Sequence, residues 1–227
     1  MAQLLNRRKA FRGGGGGPIT LESDDGGEGH TGYSSPYNVV VKYPAVSVND
    51  IMIAFIVSDV RRNLTSSPPS GWTKVLEQDG NQAYEPTQAI YWKRATAAAA
   101  ATNETWTNGS SAPCSYYAWV GAYSGCPTVG DPIDASGGRD NGYSTWHPVT
   151  VTTLSDNAMI IAAAGTDRNN ITTTWSDGTE LIDLIYRSTG TISINEKLEA
   201  TAGTHTRGAT LSGANHGTQI AVALKPA

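Results

Sequence analysis

The chain has 227 residues, of which 39% are hydrophobic and only 16% are charged, and its formal net charge is −4 at pH 7. This length suits a single all-β domain with one core. The mild charge argues against a nucleic-acid-binding body, and no stretch approaches the roughly 18 apolar residues of a membrane-spanning helix. The N-terminus also lacks an apolar stretch long enough for a secretion signal.

Residues 1–12 form a basic segment with apolar side chains between its charges. Its basic residues and apolar anchors are Leu4, Leu5, Arg7, Arg8, Lys9, Phe11 and Arg12. Five glycines follow at 13–17, and an acidic, Gly-rich segment continues to residue 32. Because glycine has high chain entropy and buries nothing, we interpret residues 1–32 as an extended arm and linker, followed by a folded domain over 33–227.

The residue pattern changes after the linker and predicts six strands. Short runs rich in β-branched and aromatic residues are separated there by segments of turn-forming residues. The predicted strands are Asn38–Tyr43, Asp50–Ser58, Trp72–Glu77, Gln88–Arg94, Thr105–Thr107 and Ser115–Tyr123. The alanine-rich run at 95–101 is interpreted as a loop, because it is too short to be a stable helix alone.

The strand pattern repeats later in the chain. With a shift of 107 positions, Met52 falls on Met159 and Arg61 falls on Arg168. This period is far longer than the roughly 20 to 50 residues of solenoid and propeller repeats. The second set of predicted strands is His147–Thr153, Ala158–Ala164, Glu180–Tyr186, Thr191–Leu198 and Gly217–Leu224.

These observations predict an all-β fold, an antiparallel and jelly-roll-like β-sandwich with an N-terminal arm. Two similar halves, over about 37–123 and 147–224, are joined by a connection at 125–146 that is dense in Gly, Pro and Asp. The strands at 51–57 and 158–164 are apolar on both faces, whereas a half-solvated strand alternates apolar and polar residues. We expect both at the centre of a sheet, with the outer face covered by long loops, by the arm or by another subunit.

No motif has catalytic spacing. The sequence lacks a nucleophile elbow, a zinc-protease motif, a phosphate-binding loop and a paired Cys-x-x-Cys. Polar clusters at 59–63 and 167–170 contain oxygen ligands that suit Ca²⁺, but their arginines oppose a cation and turn capping explains them. We therefore predict no enzyme activity, no cofactor and no metal site. The histidines are scattered singly, which favours surface or turn positions: His30, His147, His205 and His216.

Two cysteines, Cys114 and Cys126, flank a predicted strand. Such a strand, at about 3.3 Å per residue, holds their Cα atoms beyond bonding distance. We expect free thiols, as in a protein assembled in a reducing cytoplasm.

The chain contains six tryptophans and ten tyrosines. Trp72 and Trp119 lie on or next to predicted strands, where a large apolar side chain anchors a sheet. Trp106, Tyr143 and Trp146 lie in or beside predicted loops, where aromatic faces can stack on sugar rings. These three are the candidate carbohydrate-binding residues, and core packing is the alternative interpretation for most of the tryptophans.

Four short patterns mark the first predicted strands. They are Val48-Asn49-Asp50-Ile51-Met52, Pro69-Ser70-Gly71-Trp72-Thr73, Tyr91-Trp92-Lys93-Arg94-Ala95-Thr96-Ala97 and Tyr117-Ala118-Trp119. Together they resemble β-sandwich proteins encoded among the virion genes of tailed bacteriophages, over about residues 36–225. The resemblance implies a non-catalytic, jelly-roll-like protein of the capsid decoration, cement or tail-fibre type. The absence of a repetitive shaft or of coiled-coil heptads favours the head over the tail.

Two functional hypotheses follow from the resemblance and the composition. In the first, the chain is a structural virion protein, assembled in the host cytoplasm, that binds the major capsid protein or another virion protein and forms homo-oligomers on the lattice. The arm is then expected to bind an acidic groove on the capsid or on a neighbouring subunit, since a protein outside a closed shell cannot reach packaged nucleic acid. A disordered leader is the alternative interpretation of the arm. In the second, the chain is a receptor- or carbohydrate-binding module of a tail fibre or adhesin. Neither hypothesis involves a membrane.

Overall fold

The computed structural model describes residues 17–29, 37–58, 68–82, 85–108, 116–167, 171–186 and 190–227. The strands formed by these residues are antiparallel, and these residues form no helix. The described part of the chain therefore contains no helix that is long and apolar enough to cross a membrane. In chain order the strands are β1 (Thr20–Gly29), β2 (Tyr37–Tyr43), β3 (Ile51–Ser58), β4 (Thr73–Gln78), β5 (Thr87–Arg94), β6 (Thr102–Asn108), β7 (Tyr116–Ser124), β8 (Ile133–Thr153), β9 (Ala158–Thr166), β10 (Thr173–Trp175), β11 (Thr179–Tyr186), β12 (Gly190–Glu199) and β13 (Gly203–Leu224).

The strands form two large sheets and one small ribbon. The five-stranded sheet has the order β1-β7-β3-β5-β4, and β2 pairs with β6 in a two-stranded ribbon. The six-stranded sheet has the order β10-β13-β9-β12-β11, with β8 paired to β13. Most predicted strands are confirmed to within two residues at each end, whereas β6, β8 and β13 are longer than predicted and β1 and β10 were not predicted.

The main core lies between the two large sheets. Its buried apolar residues come from β3, β5 and β7 on one side and from β9, β12 and β13 on the other. Ile53 of β3 and Ile161 of β9 represent the two sides, and both have no exposed surface. The prediction of an all-β, sandwich-like architecture with antiparallel sheets is confirmed.

The outer faces of the central strands are covered by other strands of the same chain. Ala54 and Ile56 of β3 pack in a second buried cluster with Trp106 of the β2–β6 ribbon. Ile160 of β9 packs in a third cluster with Val149 of β8. The prediction that β3 and β9 are buried on both faces is therefore confirmed. The covers differ from the loops, arm or second subunit expected from the sequence.

The outer face of β9 is covered because β8 and β13 fold back over the sheet to which they belong. They pair along their whole length, with irregularities of register between Thr210 and Asn215 and at two later points. The early part of β8 comes so close to its own later part that a Cβ atom on Gly137 would lie 2.3 Å from the Thr150 carbonyl oxygen. Only glycine fits at this crossing.

Two segments interpreted as linkers are strands. Residues 20–29, assigned to the arm and linker, form β1 and pair with β7, and Ile19 just before them is buried. Residues 133–146, assigned to the connection between halves, form the first part of β8. Both segments are rich in glycine and acidic residues, so they lack the apolar alternation that predicts a strand. In β1, Glu22 accepts a hydrogen bond of 2.5 Å from the Ser124 hydroxyl, so this acidic side chain is bonded to the neighbouring strand.

The crossing at Gly137 predicts a selective effect of a single methyl group. Gly137→Ala should lower the free energy of unfolding by roughly 1–3 kcal/mol, since overpacking against backbone cannot be relieved by a rotamer change. Gly213→Ala is the matched control in the other strand of the ribbon, because its Cβ would meet only Ile171 Cδ1, at 3.6 Å. Urea denaturation of both variants measures the difference, and equal losses of stability would contradict the crossing.

Candidate functional site

The predicted partner-binding residues of the arm lie outside the residues that the structure describes. They are Leu4, Leu5, Arg7, Arg8, Lys9, Phe11 and Arg12. Partner binding by the arm therefore stays a prediction.

Trp106 is a core residue, so its assignment as a carbohydrate-binding residue was wrong. Its side chain is 1% exposed, and its ring packs against Trp72 and Tyr91 with centroid separations of 5.3 and 5.0 Å. Its Nε1 donates a hydrogen bond of 2.7 Å to the Tyr43 hydroxyl. Burial raises the pKa of Tyr43 above its usual value, so the hydroxyl stays neutral in this contact. Trp106 was predicted on a short strand beside loops, and β6 turns its side chain inward over the outer face of β3.

Tyr143 and Trp146 both lie on the surface, as their assignment requires. They belong to β8 rather than to a loop, and they are 58% and 44% exposed. The Tyr143 ring packs on the His216 ring with a centroid separation of 5.1 Å. The Trp146 indole lies over Gly208, where a Cβ atom would be 1.8 Å from its Cη2. Each ring is thus held in place while part of it faces solvent.

A polar contact joins the two sheets next to Tyr143. Glu85, between β4 and β5, is 2% exposed, and its Oε1 lies 2.7 Å from Nδ1 of His216 in β13. Its Oε2 accepts a hydrogen bond of 2.6 Å from the Gln82 amide. Because both carboxylate oxygens are engaged, Glu85 ties its loop to the opposite sheet. Sequence reasoning missed this pair, since 131 positions separate the two residues and no local spacing links them.

A second polar cluster surrounds Arg207 of β13, which is 1% exposed. Its guanidinium donates to the Asp177 side chain, to the Asp177 carbonyl at 2.8 Å and to the Asn195 side chain. Burial alone would raise the pKa of Asp177, but the hydrogen bond from Lys197 and the charge of Arg207 lower it. Arg207 is thereby committed to partners within the chain and fixes the turn at 176–178 against β12 and β13.

Within the described part of the chain, no three His, Cys, Asp or Glu residues lie together in a group that would hold a metal ion. Cys126 is a free thiol, and burial raises its pKa to about 12 against the opposing charge of Arg94. It therefore remains protonated and weakly nucleophilic at neutral pH. Cys114 and His30 lie outside the described residues.

His147 is buried in β8, so its assignment to the surface or to a turn was wrong. Its Nε2 lies 3.1 Å from the Ser144 carbonyl oxygen and donates to it in the neutral ring. Burial lowers the pKa of His147, and the contact with Ser144 opposes this only in part. The imidazole is held neutral as a packing element of the β8–β13 ribbon.

Comparisons with protein-family models, with curated proteins and with solved structures found no match to this chain. The candidate functional features are therefore those of the chain itself: an N-terminal segment of opposite charge to the body, and a body whose exposed aromatics lie on β8.

The burial of His147 predicts a stability that falls below neutral pH. The folded-state pKa lies below the usual value of about 6.5, so the unfolded chain takes up a proton that the folded chain refuses as the pH drops. The neutral ring therefore makes its full contribution to the free energy of unfolding at pH values well above the unfolded-state pKa. On acidification this contribution is lost, and the free energy of unfolding falls by at most about 1.4 kcal/mol per pH unit. Urea midpoints between about pH 7 and pH 5 should decline less steeply for His147→Gln than for the wild type. Parallel pH profiles would contradict the assignment.

Proposed function

We propose that the chain is a non-enzymatic structural virion protein of a tailed bacteriophage, which binds the capsid lattice as a decoration or cement protein. The observation that carries the proposal is a charge separation along the chain. Four of the 16 Lys and Arg residues and none of the 20 Asp and Glu residues lie in residues 1–16. This segment therefore carries a charge of +4, and residues 17–227 carry −8. A cationic segment on an acidic body suits attachment to an acidic groove of another protein.

The body is consistent with attachment through the arm because it covers its own apolar faces. The clusters on both sides of β3 and β9 are filled by residues of the same chain. A body closed in this way needs no partner to complete its core, so attachment falls to the arm and to polar surfaces. The partner is the major capsid protein or another virion protein. Many copies of the chain bind the lattice, and the virion is assembled in the host cytoplasm.

The finer fold proposal is a jelly-roll-like sandwich in two similar halves, and the strand orders support the two halves. β7-β3-β5-β4 in one sheet and β13-β9-β12-β11 in the other follow the same sequence of connections. β1 pairs with β7 as the first part of β8 pairs with β13. In these pairs Gly26 lies opposite Trp119 and Gly137 lies opposite Ala221, so the Gly-Gly steps at 26–27 and 137–138 occupy related places. On this proposal the halves begin at β1 and at β8, earlier than the sequence repeat alone indicates.

A tail-fibre or adhesin module is the second candidate function. The specific observation in its favour is that Tyr143 and Trp146, two of the three candidate carbohydrate-binding aromatics, are exposed on β8. In this alternative the body carries out recognition and the arm attaches it to the particle.

The first test of the proposal removes the arm. Deletion of residues 2–12 should leave the thermal unfolding temperature of the body nearly unchanged, while binding to purified capsids is lost or becomes much weaker and less dependent on salt. Each apolar anchor would contribute on the order of 1.5–3 kcal/mol if fully buried in the partner. A matched variant that replaces Arg7, Arg8, Lys9 and Arg12 by alanine separates charge from apolar contact. Full binding by the truncated protein would exclude the arm from attachment.

A second test concerns catalysis. Screens for hydrolysis of polysaccharides and peptides should give no turnover, since Glu85 and Arg207 are committed to contacts within the chain. Turnover that Glu85→Gln abolishes, with folding retained, would overturn the non-enzymatic proposal.

A further inference from the structure

One exposed sheet face carries a regular array of hydroxyl groups. Along the paired parts of β8 and β13, alternate side chains such as Val149 and Val151 are buried beneath the ribbon, so the residues between them point outward. The outward, exposed residues include Thr150, Thr152, Thr204, Thr206, Thr210 and Trp146. We call this surface the threonine face.

The hydroxyl groups of the threonine face are held in a fixed two-dimensional pattern. Thr150 lies opposite Thr206 and Thr152 opposite Thr204, with Oγ1 atoms 3.3 and 3.1 Å apart. Residues two apart on a strand repeat every 6.8 Å or so, and neighbouring strands lie about 4.8 Å apart. Thr174 of β10 lies opposite Thr210 and extends the pattern to a third strand. Since threonine is stiff at χ1, the array is largely pre-organised.

Trp146 adds a flat apolar platform to this array. It lies opposite Thr210, and its indole covers Gly208, which is buried although it belongs to the exposed side of the strand. The position over Gly208 is available only because glycine has no side chain. With one face of the ring on the strand and 44% of the residue exposed, the other face is presented to solvent.

The threonine face is uncharged in a protein whose body is acidic. None of its outward positions, which include Pro148 and Gly208, holds an ionisable residue. A threonine hydroxyl both donates and accepts hydrogen bonds, and each cross-strand pair keeps acceptor capacity for a ligand. The complementary ligand is therefore neutral, rich in hydroxyl groups, and apolar on one ring face.

We propose that the threonine face binds a neutral polysaccharide. A sugar ring stacks its C–H face on the electron-rich face of Trp146, and the sugar hydroxyls exchange hydrogen bonds with the threonine array on β8 and β13. Because the array and the indole are already ordered, little conformational entropy is lost on binding. This interaction does not involve the arm, so it stands or falls separately from attachment to a capsid.

Binding is tested by depletion of the full-length chain from solution by insoluble cellulose, chitin, β-1,3-glucan and mannan, with carboxymethyl-cellulose as the charged comparison. At least one neutral polymer should retain the protein, also at raised salt. Trp146→Ala should weaken that binding about tenfold, and Thr206→Val, which keeps the side-chain shape, should weaken it several-fold. Thr105→Val, at an exposed threonine of β6, is the matched control and should bind as the wild type does.

A second variant displaces the platform without removing it. Gly208→Ala places a methyl group where the indole lies, so binding should fall as far as in Trp146→Ala, whereas Gly213→Ala should have no effect. Thermal unfolding checks that each variant is folded. If Gly208→Ala does not fold, Trp146→Ala alone tests whether the indole contributes to binding. The protein without residues 2–12 should bind the polymer unchanged. Retention by none of the four neutral polymers, equal losses in the control variants, or loss of binding at raised salt would overturn the proposal.

Discussion

The structure depends on two strands that must be buried on both faces. β3 and β9 present apolar side chains to both sides of their sheets, and all of their residues are buried. Fully burying one large apolar side chain is worth roughly 1.5–3 kcal/mol, so leaving either outer face in water would forfeit much of the stability of a domain. The observed solution is a layered arrangement of strands from one chain: the β2–β6 ribbon covers β3, and the folded-back β8–β13 ribbon covers β9.

Polar contacts follow from this layering. Buried polar groups at the edges of the apolar layers need hydrogen-bond partners. Two such contacts join the large sheets: Glu85 contacts His216, and Gln88 Nε2 donates to Thr218 Oγ1 at 2.9 Å. Arg207 donates a hydrogen bond to the turn that closes over it. Because the apolar sheet faces and these ionic groups are occupied within the chain, recognition is left to the exposed surface, which is polar apart from scattered side chains such as Leu154 and Trp146. The threonine face is its most regular part among the described residues.

The sequence predicted the features that depend on apolar periodicity. The two-sided burial of β3 and β9 and the positions of most strands follow from alternation and turn residues. It failed where glycine replaces apolar side chains. β1 and the first part of β8 read as linkers, although a close crossing is what requires glycine at Gly137. The recurrence of Gly-Gly at 26–27 and 137–138 was the available signal.

The candidate site was predictable only in part, for the same physical reason. Local sequence shows that an aromatic residue lies near a turn but not which layer covers it, so Trp106 was misplaced while Tyr143 and Trp146 were placed on the surface. The alternation of threonine at 150–152 and 204–206 is visible in the sequence. That these strands are neighbours, and that their threonines share a face, follows from pairing across more than fifty positions.

Hydrogen exchange of the isolated chain at several dilutions tests the central claim most directly. If the chain covers both faces of its central strands itself, the amides of β3 and β9 exchange most slowly, by global unfolding, at every concentration. Protection that appears only at concentrations where the chain associates would show that another copy supplies the cover, and would contradict the account.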